Sequence, residues 1–170
     1  RVGCVIVKDN LVVGEGWHRR AGEPHAEIVA LAQAAGFARG ATVYLTLEPC
    51  SHYGRTPPCV DSLIEAKVGR VVAAMEDPNP QVNGRGLAKL RAAGIDVRCG
   101  LLRQEATELN AGFVSRMARG LPWVRLKIAA SLDGGTALPN GRSQWITGEA
   151  ARTDGHRWRA RACAILTGIG

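Results

Sequence analysis

His25 and Glu27 in "GEPHAE", Cys50 after Pro49, and Cys59 beyond eight further residues are types that together can hold a divalent metal and move a proton beside it. Zinc-assisted hydrolytic deamination needs three protein ligands and a fourth position left for water. It also needs a carboxylate that carries protons without binding the metal. His25, Cys50 and Cys59 can supply the ligands, and Glu27 the proton shuttle. Two thiolates neutralise Zn²⁺ and a neutral imidazole adds nothing, so a water at the metal can ionise near neutral pH. The cysteine pair also admits a disulfide or two idle core thiols as readings. Taken singly, a histidine in a first helical turn is more often a cap, and a glutamate there a partner for the helix dipole. The combination carries the signal. Cys4, Cys99 and Cys163 read as buried hydrophobes.

These residues need elements to place them. "VGCVIV", Val2 to Val7, is a β-branched run, followed by a polar turn at Lys8-Asp9-Asn10 and a second run from Leu11 to a Gly-rich end, which predicts a β-hairpin. From Pro24, the spacing of Ile28, Leu31, Ala32 and Ala35 predicts a helix, with Pro24 in its first turn and Gly36 as its stop. On a regular helix His25 and Glu27 would point about 200° apart, so only an irregular first turn brings both to one metal. "TVYLTL", Thr42 to Leu47, reads as a strand that delivers Cys50 just past its C-terminal end, where open α/β sheets place their sites. Cys59 opens a helix, where the dipole favours a thiolate.

The strand "RVVAAM", the helix "GLAKLRAAG" and the strand around "IDVRCG" then repeat a strand–helix–strand order, which implies parallel neighbours. Leu101 to Arg119 reads as largely helical. Beyond Pro122, "WVRLKIAASLDGGTA" reads as a strand ending in a Gly-rich turn, "GEAARTDGHRWRARA" as a helix and "CAILTG" as a strand. A domain boundary is expected near residue 120.

Composition narrows the class. Hydrophobic residues make up 46% and charged residues 22%, which is globular. No apolar run approaches the ~20 residues of a membrane-spanning helix. Five cysteines at irregular spacing fit a reducing, cytoplasmic setting better than a secreted disulfide framework. The net charge of +7 admits nucleic acid or a phosphorylated small molecule as partner. Aromatics at 5% are too few for an obvious base-stacking platform, which favours the small molecule.

The long spacing in "PCSHYGRTPPC" resembles that of the bifunctional riboflavin-biosynthesis deaminase/reductase family. "RVGCVIV", "GEPHAE", "DPNPQVNGRG", "AGIDV", "LKIAASLDG" and "SQWITG" match the same family. The resemblance implies an α/β fold. Residues 1–120 would form a cytidine-deaminase-like three-layer α/β/α domain with a mixed sheet, and 121–170 the start of a dihydrofolate-reductase-like domain. It implies one Zn²⁺ per deaminase domain and NADPH for the full-length reductase. The reaction would be deamination of 2,5-diamino-6-ribosylamino-4(3H)-pyrimidinone 5′-phosphate with release of ammonia, followed by reduction of the ribosyl group.

By the same resemblance His52, Arg55, Asn79 and Asn83 would contact the deaminase substrate, with Arg55 suited to the phosphate. Loop bracing at Arg55 and Asx turns at the asparagines are equal alternatives. Ala129 and Trp145 would line the dinucleotide, and Ser143 and Arg159 the reductase substrate. "SLDGGTALPNG" is not a GxGxxG fingerprint. The match starts inside the family's opening motif and stops early in the reductase. The chain is therefore expected to be truncated at both ends, to lack a first helix and to lack reductase activity. A small phosphorylated pyrimidine, no nucleic acid, no membrane and a homo-oligomer are the partners expected. The competing readings are a deaminase of nucleic-acid or free nucleoside bases, and a non-catalytic zinc-stabilised module.

Overall fold

Asp9 and Asn10 have φ of 50° and 62°, the pair of left-handed residues that a two-residue hairpin turn requires. Short Asp and Asn side chains tolerate that region. The turn joins β1 (Gly3–Lys8) to β2 (Leu11–Trp17) with Lys8 opposite Leu11. A computed structural model describes residues 1–54 and 56–168, and in it the hairpin is one edge of a five-stranded mixed sheet of order β2-β1-β3-β4-β5. β3 (Thr42–Leu45) lies antiparallel to β1, while β4 (Arg70–Ala73) and β5 (Asp96–Cys99) continue parallel to β3. The parallel pairs are the ones that the strand–helix–strand order implies.

Alternation along the strands sets the layers. Cys4, Ile6, Val43, Leu45 and Val71 are buried against residues of three helices: α1 (Ala26–Ala34), α2 (Cys59–Glu65) and α3 (Arg85–Ala92). Each large side chain so buried contributes roughly 1.5–3 kcal/mol. A smaller apolar group forms where Leu47 and Met75, just past β3 and β4, meet Ala106 of α4 (Arg103–Leu109) and Phe113 and Val114 of α5 (Ala111–Arg119). The stretch 101–119 is largely helical as expected, in two helices separated at Asn110, whose φ of −117° leaves the helical region.

The packing of α1 departs from the expected face. Ala26, Ala30 and Ala34 are fully buried, whereas Ile28 and Leu31 are only partly so and Ala32 and Ala35 are exposed. The cause lies in β2. A Cβ added at Gly16 would come 2.1 Å from the Ala26 carbonyl oxygen and 2.8 Å from the Ala30 nitrogen, and one at Gly14 would come 2.3 Å from the Ala30 oxygen. The helix backbone rests on the strand, and only alanines fit between. The helix also ends differently: Ala35, at φ 46°, turns the chain into a short 3₁₀ segment, Ala35–Ala38, which runs through Gly36. Gly16→Ala is expected to destabilise the fold by about 1–3 kcal/mol, because backbone atoms cannot step aside cheaply. Gly36→Ala, with open space around it, should stay within about 0.5 kcal/mol of the parent. Chemical-denaturation midpoints of the two variants check this.

The chain divides into two compact units, Arg1–Trp123 and Val124–Gly170. In the second, α6 (Glu149–Ala160) forms as expected, and the Gly-rich turn closes with the Gly134 N–H donating to the Ser131 oxygen at 3.0 Å. The two expected strands do not form among the described residues: 123–130 and 163–168 have no ladder. A strand needs a paired neighbour for its backbone groups, and neither run has one here. Cys163 and Cys99 are both exposed, contrary to the expectation of buried thiols, since Cys99 ends the edge strand β5 and Cys163 follows α6. Cys4 is buried. No helix among the described residues is long and apolar enough to cross a membrane.

Candidate metal centre

Pro24 precedes α1 instead of opening it. His25 is the N-cap, in extended backbone at φ −71° and ψ 161°. Leaving the helix there frees its ring from the helical direction that would point it away from Glu27, which stands in the first turn. β3 carries the chain to Pro49 and Cys50, and Cys59 begins α2 behind Pro58. Three separate elements therefore deliver three donor atoms to one point. His25 Nδ1 lies 3.1 Å from Cys59 Sγ and 3.5 Å from Cys50 Sγ, and the three ligand atoms all fall within 4.8 Å of one another.

A tetrahedral Zn²⁺ with ordinary bond lengths separates an imidazole nitrogen from a thiolate sulfur by about 3.6 Å, so the donor set fits that ion with little adjustment. With its ring proton on Nε2, 3.4 Å from Thr56 Oγ1, His25 keeps the Nδ1 lone pair for a metal. The Cys59 N–H donates to Cys50 Sγ at 3.3 Å. The Cys50 thiol is pulled down to about 5, first by its hydrogen bond with Cys59, against the effect of burial. Cys59 is pushed up by that same bond and by burial, so the two sulfurs hold one proton between them. A divalent cation takes the place such a shared proton holds between two sulfurs.

Glu27 is 3% exposed, and its Oε2 has no hydrogen-bond partner. Burial raises its carboxyl above the ordinary range, and the Cys50 charge adds to this while His25 opposes it. It lies outside the three-ligand group. A buried carboxylate with a free oxygen beside three metal donors, but not among them, has the placement of a proton carrier.

A cavity of about 240 Å³ opens over the centre, lined by His18, Ala21, Gly22, His25, Cys50, His52, Gly54 and Thr56. Of the expected substrate contacts, His52 is on this wall. Arg55 lies outside the described residues. Asn79 and Asn83 are not on the wall. Asn79 Oδ1 accepts from the Gln81 N–H at 3.1 Å, an Asx turn, and Asn83 is exposed. His18, Thr56, Asp77 and Glu48 are site features that sequence reasoning missed. His18 meets the His25 ring edge-on at 5.1 Å, and only its place at the hairpin's end pointed to it. Burial raises the Asp77 carboxyl, and the charges of His52 and Cys50 act on it as well.

A larger apolar groove of about 620 Å³, walled by Val5, Trp17, Tyr44, Val72, Leu101 and Leu102, carries only Glu15 and Glu105 as ionised groups and no metal-ligand set. The chemistry belongs to the smaller cavity. In the second unit Ala129 is half-buried, while Ser143 and Trp145 are exposed, with the Arg152 guanidinium 4.5 Å from the Trp145 ring centre. Arg159 is exposed and pairs with His156 at 3.3 Å. No hydrogen bond links these four to one another among the described residues.

Residues 1–75 match the cytidine and deoxycytidylate deaminase zinc-binding region, and 122–170 match the RibD C-terminal domain. The riboflavin biosynthesis protein RibD of Escherichia coli is 63% identical over 98% of this chain and 45% of its own length. RibD of Acinetobacter baumannii superposes with a TM-score of 0.86 at 57% identity, over 94% of this chain and 45% of that one. A Thermotoga maritima structure described as a diaminohydroxyphosphoribosylaminopyrimidine deaminase/5-amino-6-(5-phosphoribosylamino)uracil reductase gives 0.87 at 43% identity, over 93% and 46%. The chain thus spans about 45% of the length of the relatives it matches.

Proposed function

Since the chain belongs to the RibD family of riboflavin-biosynthesis proteins, we propose that residues 1–120 are a zinc-dependent deaminase acting on the diaminopyrimidinone ribosylamino 5′-phosphate, and that 121–170 are the N-terminal part of an NADPH-dependent reductase domain. The observation that carries this is the meeting of His25, Cys50 and Cys59 within 4.8 Å, with the buried Glu27, whose Oε2 has no partner, beside them.

His25, Cys50 and Cys59 would hold the ion. When bound, zinc supplies Lewis-acid activation of water near neutral pH. Glu27 accepts one proton from the attacking water and passes it to the ring nitrogen, then takes the second from the added hydroxyl and gives it to the departing amine, so that the carbonyl forms and ammonia leaves. His52 orients the pyrimidine from the cavity wall. Arg55, three residues on, is assigned to the phosphate, and Asn79 and Asn83 to the outer end of the substrate. In the reductase, Ala129 and Trp145 are assigned to the dinucleotide, and Ser143 and Arg159 to its substrate.

The five free thiols support a reducing, cytoplasmic setting, and a homo-oligomer is the assembly we assign. Metal analysis joined to an ammonia-release assay on the diaminopyrimidine phosphate tests the reading. About one zinc per chain and zinc-dependent ammonia release are expected. Full turnover by metal-free protein would sink the proposal.

A further inference from the structure

Glu48 lies two residues before Cys50, is 4% exposed and does not line the cavity. Both of its carboxylate oxygens are nevertheless fully engaged. Oε2 accepts from the N–H groups of Asp77 (3.1 Å) and Gly84 (2.8 Å), and Oε1 from those of Gly86 (2.8 Å) and Leu87 (3.2 Å). Gly84 is the N-cap of α3, and Gly86 and Leu87 lie in its first turn, where backbone donors have no partner within the helix. The Glu48 N–H in turn donates to the Met75 oxygen at 2.9 Å. A Cβ at Gly86 would come 2.2 Å from the Pro49 oxygen, so α3 begins directly against the residue that precedes Cys50.

From the other side the Val60 N–H donates to the Cys50 oxygen at 3.2 Å, and the Cys59 N–H to its sulfur. Cys50 is held between two braces, one of which is Glu48. An apolar side chain of the same size would leave four donors unsatisfied, three of them buried, so packing alone does not account for a carboxylate at this position.

We propose that Glu48 is a positioning residue of the metal centre: by gathering the N–H groups of Asp77, Gly84, Gly86 and Leu87 it locks the 77–87 segment onto the strand end that presents Cys50. The placement of this ligand and of the Asp77 carboxylate near it is thereby set together. The inference rests on the zinc reading above. Groups that orient a ligand without touching the metal typically govern affinity by 10- to 100-fold, in order of magnitude about the loss expected here.

Co²⁺ is the probe, because its visible spectrum reports thiolate ligation and geometry. Glu48→Gln keeps the side chain's size but turns one acceptor oxygen into a donor that faces two N–H groups. Co²⁺ affinity should fall about 10- to 100-fold with a shifted visible band, and amide exchange at Asp77 and Gly84 should quicken. Leu90→Ala, in the same helix and fully buried, should lower the unfolding temperature yet leave cobalt affinity and spectrum unchanged.

Parent-like cobalt binding in Glu48→Gln, or the same loss in Leu90→Ala, overturns the inference. If Glu48→Gln does not fold, Glu48→Asp draws the charge back by about 1.5 Å and carries the same comparison: a weakened, altered site supports positioning and an unaltered one refutes it. A parent chain that binds cobalt through thiolates but releases no ammonia overturns the deaminase reading and leaves this one standing. A parent chain that binds no cobalt overturns both.

Discussion

Glu27→Gln is expected to keep about one zinc per chain and to lose deaminase turnover by about 10²–10⁴-fold. The substitution is nearly isosteric, so it spares the three donors, to which Glu27 does not belong. What it removes is a buried carboxylate beside the three donors, 3% exposed, whose Oε2 has no partner. Burial also lifts the Glu27 carboxyl above its ordinary value of 4.5, toward the range where a group can both accept and return a proton at neutral pH.

That shift has a stability consequence of definite sign. A folded-state pKa above the unfolded one means that folding takes up a proton between the two values. Stability from this group is therefore greatest below the ordinary carboxylate range and declines as pH rises from there to the folded pKa. Metal-free Glu27→Gln should lack this decline and be the more stable protein at neutral pH. Urea unfolding across pH in the presence of a chelator, read beside zinc content and ammonia release, separates the two effects. Full turnover in a zinc-loaded Glu27→Gln variant would refute the role of Glu27 as proton carrier.

The gain in stability paired with a loss of activity marks what was legible in the sequence and what was not. The donor types and their order along the chain were readable because each lies at an element boundary with a local signature: Pro24 before the first helix, a β-branched run before Cys50, Pro57-Pro58 before Cys59. The hairpin and the parallel strands followed from equally local patterns. What resisted reading depends on contacts between distant segments. Periodicity put Ile28 and Leu31 on the buried face of α1, but Gly14 and Gly16 of a different element admit the helix so closely that alanines occupy it. His25 as an N-cap in extended backbone resolves the angular conflict with Glu27, and no count of residues per turn could show that. Glu48 was silent for a further reason. Its partners are backbone N–H groups 29 to 39 residues away, and a backbone donor has no sequence signature. The runs at 123–130 and 163–168 have strand-like composition, but composition cannot supply a neighbour to pair with.

Cys59→Ala should abolish zinc binding and, with it, all zinc-dependent stability. The side chain is fully buried at the first residue of α2, 3.1 Å from His25 Nδ1, and its own N–H holds the second sulfur. Its removal leaves one imidazole and one thiolate, one donor short of the three protein ligands of a catalytic zinc site. A ligand that binds only the folded state adds stability as RT ln(1 + [L]/Kd), about 4 kcal/mol at a free concentration a thousandfold above Kd. The parent chain should therefore show a thermal transition that rises with added zinc and falls back with a chelator, whereas Cys59→Ala should respond to neither. Cys50→Ala should also lose the metal, since it too leaves only two donors. Cys99→Ala, at an exposed strand end, should titrate as the parent does. The comparison isolates ligation from general damage: an alanine that merely loosened the core would lower the transition at every zinc concentration yet preserve its slope. A Cys59→Ala chain whose transition still climbs with zinc would mean that the ion is held elsewhere, and His25, Cys50 and Cys59 would then have to be given up as its ligands.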